Sequence, residues 1–433
     1  MHRRRRRGRP AALILAWLTG LMGLTCGAGA VAQTPAMEAA PSTLKQAFDA
    51  AWLRQPEAAA LHLRRDAVQA QQRTAQAWTP EPVALTLSAK TDRFQRNEGA
   101  SEVEVGVAVP LWLPGERARS AALAEAETQG VESRALAAQL RTAGALREAW
   151  WQWQRARVEL DMARDQLANA RALLADVSKR VKAGDLARAD QHQADGALAS
   201  AEVAEARALA ALAATLPPLR VASGGLAPHD AGAAVPVSEP APSLDTATAA
   251  EAVRDVSAHP ALKELQDRAA VAGNAAALAA ARSRANPELT LATTRERGLR
   301  GERYDPSITL GLRIPFGDGT RHAARVASAQ AEATELEVQL ATERERLVAE
   351  QAGAQQRVAS MRAALAAAER RARLAEASRG FFDKSFRLGE TDLPTRLRIE
   401  AEAVEARRQA ASARIEVAAA ISQWRQALGL LPE

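Results

Sequence analysis

Two stretches of the chain alternate apolar and polar side chains at every second residue. Val83, Leu85 and Leu87 alternate with small or polar residues, and Val103, Val105, Val107 and Val109 alternate with Glu102, Glu104, Gly106 and Ala108. A period of two predicts a β-hairpin over 83–110, with Thr91 to Ala100 as its polar loop. Leu289 and Leu291, followed by Ile308, Leu310, Leu312 and Ile314, predict a second hairpin over 288–315. Pro110 and Pro315 end strands at positions where a ladder N–H is no longer needed. The rest follows helical spacing. Ser42 caps a helical stretch reaching about Ala77. Leu160, Leu167, Leu174 and Val181 sit seven apart, and Ala163, Ala170 and Val177 fill the intervening row. That is a coiled-coil seam with small residues on one side. Leu340, Leu347, Ala354 and Met361 form a weaker second seam.

The patterns recur at a fixed distance. Pro56, Leu61, Arg64, Leu85, Thr86 and Leu87 reappear 204 residues later, and Gly106, Pro110 and Gly184 reappear 205 residues later. The chain is therefore expected to be two copies of one unit. Repeat 1 spans 33–216, with its hairpin at 83–110 and a long helical hairpin turning near 184. Residues 217–243, rich in Pro and Gly, are a linker. Repeat 2 spans 244–433, with its hairpin at 288–315 and a turn near 389. From Pro114 to Gly184 a helix covers roughly 105 Å at ~1.5 Å per residue. The remaining residues suffice to return the same distance. The second unit descends from about Asp318 to Gly389 and returns through Leu430.

Composition narrows the class. Of 433 residues, 47% are hydrophobic but only 3% aromatic, so the apolar content is mostly Ala and Leu, which favours long helices over a Rossmann-type enzyme. The net charge of +6 comes from Arg3 to Arg7 and Arg9; without those six, basic and acidic residues balance at 51 each, and nothing marks a nucleic-acid partner. Those arginines, the apolar run Ala11 to Leu24 and the Ala30-Val31-Ala32 site predict a signal peptide over 1–32. The alternative is lipidation at Cys26, whose preceding Gly23-Leu24-Thr25 make a poor lipobox. No other stretch reaches the ~18 uninterrupted apolar residues of a membrane helix. The exported chain is then periplasmic, secreted, or crosses an outer membrane as β-strands.

Four strands cannot close a barrel, and an open edge is not tolerated in lipid. Hairpins from several chains must combine: two chains give eight strands with a filled interior, and three give twelve around a channel. Here the sequence resembles the TolC-type outer-membrane efflux factors. The likeness rests on the strand exits Val109-Pro110-Leu111-Trp112-Leu113-Pro114-Gly115 and Ile314-Pro315-Phe316-Gly317-Asp318-Gly319. It rests also on the turns Arg180-Val181-Lys182-Ala183-Gly184-Asp185-Leu186 and Ser385-Phe386-Arg387-Leu388-Gly389-Glu390-Thr391. The first strand exit is most similar to the cobalt–zinc–cadmium resistance branch. The resemblance implies a mainly α chain with β-hairpins, forming a homotrimeric channel-tunnel. Its long coiled-coil α-barrel would stand in the periplasm below a shared 12-stranded β-barrel in the cell outer membrane, four strands per protomer. It further implies a passive exit duct, with heavy-metal cations one candidate cargo. A periplasmic adaptor protein and an inner-membrane efflux pump would be its partners. A duct for type I protein secretion and a periplasmic coiled-coil scaffold are the competing readings.

The resemblance makes Gly184, Asp185, Leu186, Gly389, Glu390, Thr391 and Leu393 candidate adaptor-docking tips. Asp185 and Glu390 are placed to cap the helices that follow, and Leu186 and Leu393 are expected to be exposed apolar contacts. Asp190 is the candidate pore constriction; its second-repeat counterpart is Thr395, with Arg398 nearby, so an acidic ring is not repeated there. Trp78, Trp112 and Phe316 flank strand ends and are candidate membrane-interface aromatics. Trp150, Trp151 and Trp153 lie ~54 Å down the helix, too far for a membrane belt, and are expected to pack against neighbouring helices. His62, His192, His229, His259 and His322 lack metal-ligand spacing. With no nucleophile–base arrangement or phosphate loop, the chain reads as neither an enzyme nor a cofactor protein.

Overall fold

The computed structural model describes residues 43–94, 97–225, 239–242, 255–317 and 319–433. The expected signal peptide, Cys26, Ser42 and most of the expected linker lie outside these residues. In chain order the elements are helices α1 (Leu44–Leu53) and α2 (Pro56–Gln76), strands β1 (Ala84–Thr91) and β2 (Ser101–Pro110), and helices α3 (Glu116–Ala183) and α4 (Arg188–Ala222). A 3-10 turn at Val256–Ala258 precedes α5 (Pro260–Ala281), β3 (Glu288–Arg297), β4 (Asp305–Arg313), α6 (Gly319–Arg387) and α7 (Leu393–Ala427).

The first expected helix is in fact two. Pro56 has no N–H to donate, so it opens α2 as its first residue, after a break at Arg54 and Gln55. Thr43 caps α1, its hydroxyl accepting the Gln46 N–H. A second difference lies at the expected start of the linker. Helix α4 continues through Pro217 and Pro218 to Ala222. Leu219 is fully buried against α1 and α3, and that packing outweighs the two lost donors. The helix then closes on backbone bonds from Ser223 to Leu219 and from Gly225 to Arg220.

The four strands form one antiparallel sheet in the order β1-β2-β3-β4. The hairpins share a register: Thr86 pairs with Gly106, and their counterparts Thr290 and Gly311 pair likewise. A Cβ at Gly311 would stand 2.5 Å from the Thr290 hydroxyl, so the close approach requires glycine.

Helices α3 and α6, of 68 and 69 residues, each run ~100 Å at ~1.5 Å per residue. α3 packs along α4 and α5, and α6 along α5 and α7. The buried stripe of α3 contains Leu160, Ala163, Leu167, Leu173 and Val177. It leaves the seven-residue spacing near Leu173 because 3.6 residues per turn drift against a period of 3.5. Trp150, Trp151 and Trp153 are buried with Phe48 of α1, Leu219 of α4 and Ile415 of α7.

Two buried carboxylates tie distant segments together. Glu116, first residue of α3, accepts from Leu113 N–H (3.0 Å), Arg282 (2.7 Å) and Asn286 (2.7 Å), joining the exit of one hairpin to the entrance of the other. Glu239, in the segment between the repeats, accepts both arms of Arg147 (2.6 and 3.1 Å) and lies 3.4 Å from Arg425, with Ser422 also donating to it. All four side chains are buried, so each charge stands against a partner rather than water.

Candidate functional site

Every second side chain of a strand points to the same face, and the pairing register sorts the sheet into two unlike surfaces. One face carries the rows Val109–Leu289–Leu312, Leu85–Val107–Leu291–Leu310 and Leu87–Val105–Thr293–Ile308. These apolar side chains are largely exposed. The other carries Thr86–Gly106–Ala292–Thr309 and Ser88–Glu104–Thr294–Ser307, then Lys90, Glu102, Glu296 and Asp305. It packs more closely, with Gly106, Ala292 and Thr294 buried. Among the described residues, strands β1 and β4 each leave one edge unpaired.

The candidate interface aromatics divide. Trp78 and Phe316 are each 94% exposed at the helix-bearing end of the sheet. Trp112 is half-buried and donates its indole N–H to the Ala77 carbonyl (3.3 Å), which fixes it against the end of α2.

At the far ends of α3 and α6 the two turns are built alike. Gly184 (φ +90°) and Gly389 (φ +78°) are left-handed, and a Cβ at either would meet nothing within 4 Å, so the requirement for glycine is conformational. Asp185 N–H returns to Arg180 (2.9 Å) and Glu390 N–H to Ser385 (3.0 Å), the bonds of a Schellman turn. The expected capping acids do not cap. The Asp190 carboxylate accepts the Ala187 N–H (3.0 Å), and Asp392 accepts the Thr395 N–H (3.1 Å). A cap must sit at the residue where the helix begins or three residues inside it, and Asp185 and Glu390 fall too early. Asp185 is exposed, whereas Glu390 and Thr391 both approach the Ser385 hydroxyl (3.4 and 2.6 Å).

Leu393 corrects a second expectation. It is 1% exposed, buried with Phe386, Leu173, Val177 and Ala194, and Leu186 packs half-buried on the same cluster. As the first residue of α7, Leu393 points inward to close the seam. The exposed apolar residue at this end is Leu388, 75% exposed beside Gly389, which the sequence reading passed over. It also treated Phe386 merely as part of a motif. Phe386 is 1% exposed, its ring lies 4.8 Å from the guanidinium carbons of both Arg180 and Arg396, and Arg180 donates to its carbonyl (3.1 Å). The two helical hairpins are thus clasped at their tips. The signal was present as a cluster of Phe381, Phe382 and Phe386 between Arg379 and Gly389 in a chain otherwise poor in aromatics.

Among the described residues no group of His, Cys, Asp or Glu is placed to hold a metal ion, and no helix is long and apolar enough to cross a membrane. A sheet with one exposed apolar face is thus hung on paired ~100 Å helices. The comparisons bear on it directly. The sequence profile of the family described as "Outer membrane efflux protein" matches residues 47–225. The fold is shared with CusC, known from crystal structures of folding and transmembrane channel formation (TM-score 0.72, 17% identity, 90% of this chain and 92% of that one). It is shared too with the outer membrane protein VceC of Vibrio cholerae (0.69, 15%, 89% and 96%) and the open MtrE outer membrane channel of Neisseria gonorrhoeae (0.69, 16%, 90% and 90%). At these identities the likeness to solved structures is one of fold. No curated protein matches the chain in sequence. The profile match stops at residue 225, while the likeness in fold to CusC extends over 90% of the chain.

Proposed function

We propose that three copies join their sheets into a 12-stranded barrel and act as the passive exit duct of a tripartite efflux system. An inner-membrane pump and a periplasmic adaptor would feed it. The observation that carries this reading is the sheet: an exposed apolar face, a polar face and two unpaired edges. Lipid, water and a neighbouring copy would each satisfy one of these. The tips around Gly184 and Gly389, with Leu388, are the surface offered to the adaptor, being farthest from the sheet. Asp190, engaged as a helix cap, contributes negative charge near that end.

Cations are the proposed cargo class, heavy-metal ions among them. On the polar face Lys90 pairs with Glu102 (3.7 Å) and Arg313 with Glu288 (3.6 Å). Glu104, Glu296 and Asp305 stand beyond those pairs, so that face of the strands carries a net negative charge. A channel lined this way favours cations. The test is fractionation followed by reconstitution. The protein should be recovered from the outer membrane as a trimer in mild detergent and pass cations over anions in a planar bilayer. A soluble periplasmic monomer would overturn the duct, and an anion-preferring conductance would overturn the cargo class.

A further inference from the structure

The membrane-facing surface carries a charge pattern that a lipid barrel does not by itself require. On the apolar face of all four strands no acidic side chain appears, since every strand Glu and Asp has the opposite parity. Arg295 and Arg297 do lie on the apolar face. Arg295 shares a row with Ala89, Val103 and Pro306, and Arg297 pairs with Ser101 one row beyond. From the Leu289 row to Arg295 is six residues, ~20 Å at ~3.3 Å each, so the arginines cap the apolar band at the end away from the long helices. Arg93, Arg300 and Arg303 are exposed in the two adjoining loops. Tyr304 lies under Arg297, its ring 5.0 Å from the guanidinium, and Arg297 also donates to the Gly99 carbonyl (3.0 Å).

The acids nearby are turned elsewhere. Asp92 accepts the Glu98 and Gly99 N–H groups (2.7 and 3.0 Å), and Glu302 those of Gly298 and Leu299 (3.1 and 2.8 Å). Among the described residues none of these five arginines forms a salt bridge with an acid. Exposed aromatics stand at both ends of the band, Phe94 and Tyr304 beside the arginines and Trp78 and Phe316 at the other. What distinguishes the two rims is charge: on the apolar face of the strands arginine stands only at the end away from the long helices.

We propose that the arginine rim, led by Arg93, Arg295 and Arg297, binds the phosphates of the phosphorylated glycolipid that forms the outer leaflet. The inference rests on the outer-membrane reading and adds which lipid the rim selects. Cationic side chains attract phosphate, and placing them at the edge of an apolar band sets them level with headgroups. The rim bearing Trp78 and Phe316 then faces the inner leaflet, where that lipid is absent.

The test uses the full-length protein purified from the outer membrane, with lipid A carrying both phosphates and its dephosphorylated form as probes. Wild type should bind the phosphorylated form more tightly. The Arg93→Gln, Arg295→Gln, Arg297→Gln triple variant should lose that preference, by about fivefold per arginine and about 100-fold in all. Arg295→Lys with Arg297→Lys keeps the charge and should bind within about twofold of wild type. Lys90→Gln, on the polar face, should bind as wild type does. Equal binding of the two lipids, an unaffected triple variant, or an equal loss in Lys90→Gln would each overturn the proposal. The amount of assembled protein in the outer membrane is measured alongside. Its absence there would defeat the outer-membrane reading itself, and a normal amount with no lipid preference would defeat the rim alone.

Discussion

Two residue types carry the sharpest local constraints. Gly184 and Gly389 hold positive φ in open space, so a side chain there meets backbone strain and no clash, ~1–2 kcal/mol at each turn. Replacing both with Val should leave the assembled protein in the membrane at near wild-type level while reducing efflux. Resistance to the pumped compound and the amount of assembled protein, measured in the same cells, decide whether these turns are the coupling surface. His259 is a second point. Its Nδ1 accepts the Ala261 N–H (3.3 Å) at the start of α5. Burial holds its pKa below the ordinary imidazole value, and Arg346 pushes the same way, while the Gln426 contact, Glu343 and Glu350 oppose. The folded state therefore binds this proton less readily than the unfolded chain. Its stability contribution is complete above the unfolded value of ~6.5 and is lost as pH falls through it toward the folded value. Between pH 7.5 and 5.5 the melting temperature of wild type should fall further than that of His259→Asn, which keeps an acceptor and does not titrate. Parallel losses in the two proteins would remove His259 as the cause.

At the scale of elements, the strands give the clearest test of faces. Val105 and Leu310 sit in the middle of the exposed apolar band. Arg at either should reduce assembled protein, at ~2–4 kcal/mol near a bilayer midplane. Arg at Glu104 or Thr309, on the polar face, should be tolerated better; the reverse order in membrane yield would invert the assignment. The strands were legible because alternation is set by backbone geometry alone, and Val83 to Leu87 and Val103 to Val109 each display it without interruption. The continuation of α4 through Pro217 and Pro218 was not legible, because it depends on Leu219 finding a pocket made by residues over 60 positions away. Leu393 misled for a related reason. Its place beside a turn suggested exposure, but the direction of a first-turn side chain is fixed by the neighbouring hairpin. The clasp on Phe386 draws on Arg180, 206 residues distant, a spacing no local pattern reveals.

The segments up to α4 and from α5 onward are held together at separated levels, by Glu116 beneath the sheet, Glu239 with Arg147 and Arg425 midway, and Phe386 with Arg180 and Arg396 at the tips. Each tie bridges segments far apart in the chain, so the two halves are expected to fold as one unit. The sheet is different, since among the described residues it ends at β1 and β4. In the closed ring of three proposed above, β4 of each copy would meet β1 of the next, and every copy would take part in two such seams. The consequence is genetic. A protomer damaged along either edge still folds, still carries its partner's docking surface, and still enters the ring, where it breaks the wall for its neighbours. With equal amounts of sound and damaged chains, about one ring in eight would be wholly sound. Edge-strand alleles should therefore behave as dominant, and alleles that prevent the protomer from folding as recessive.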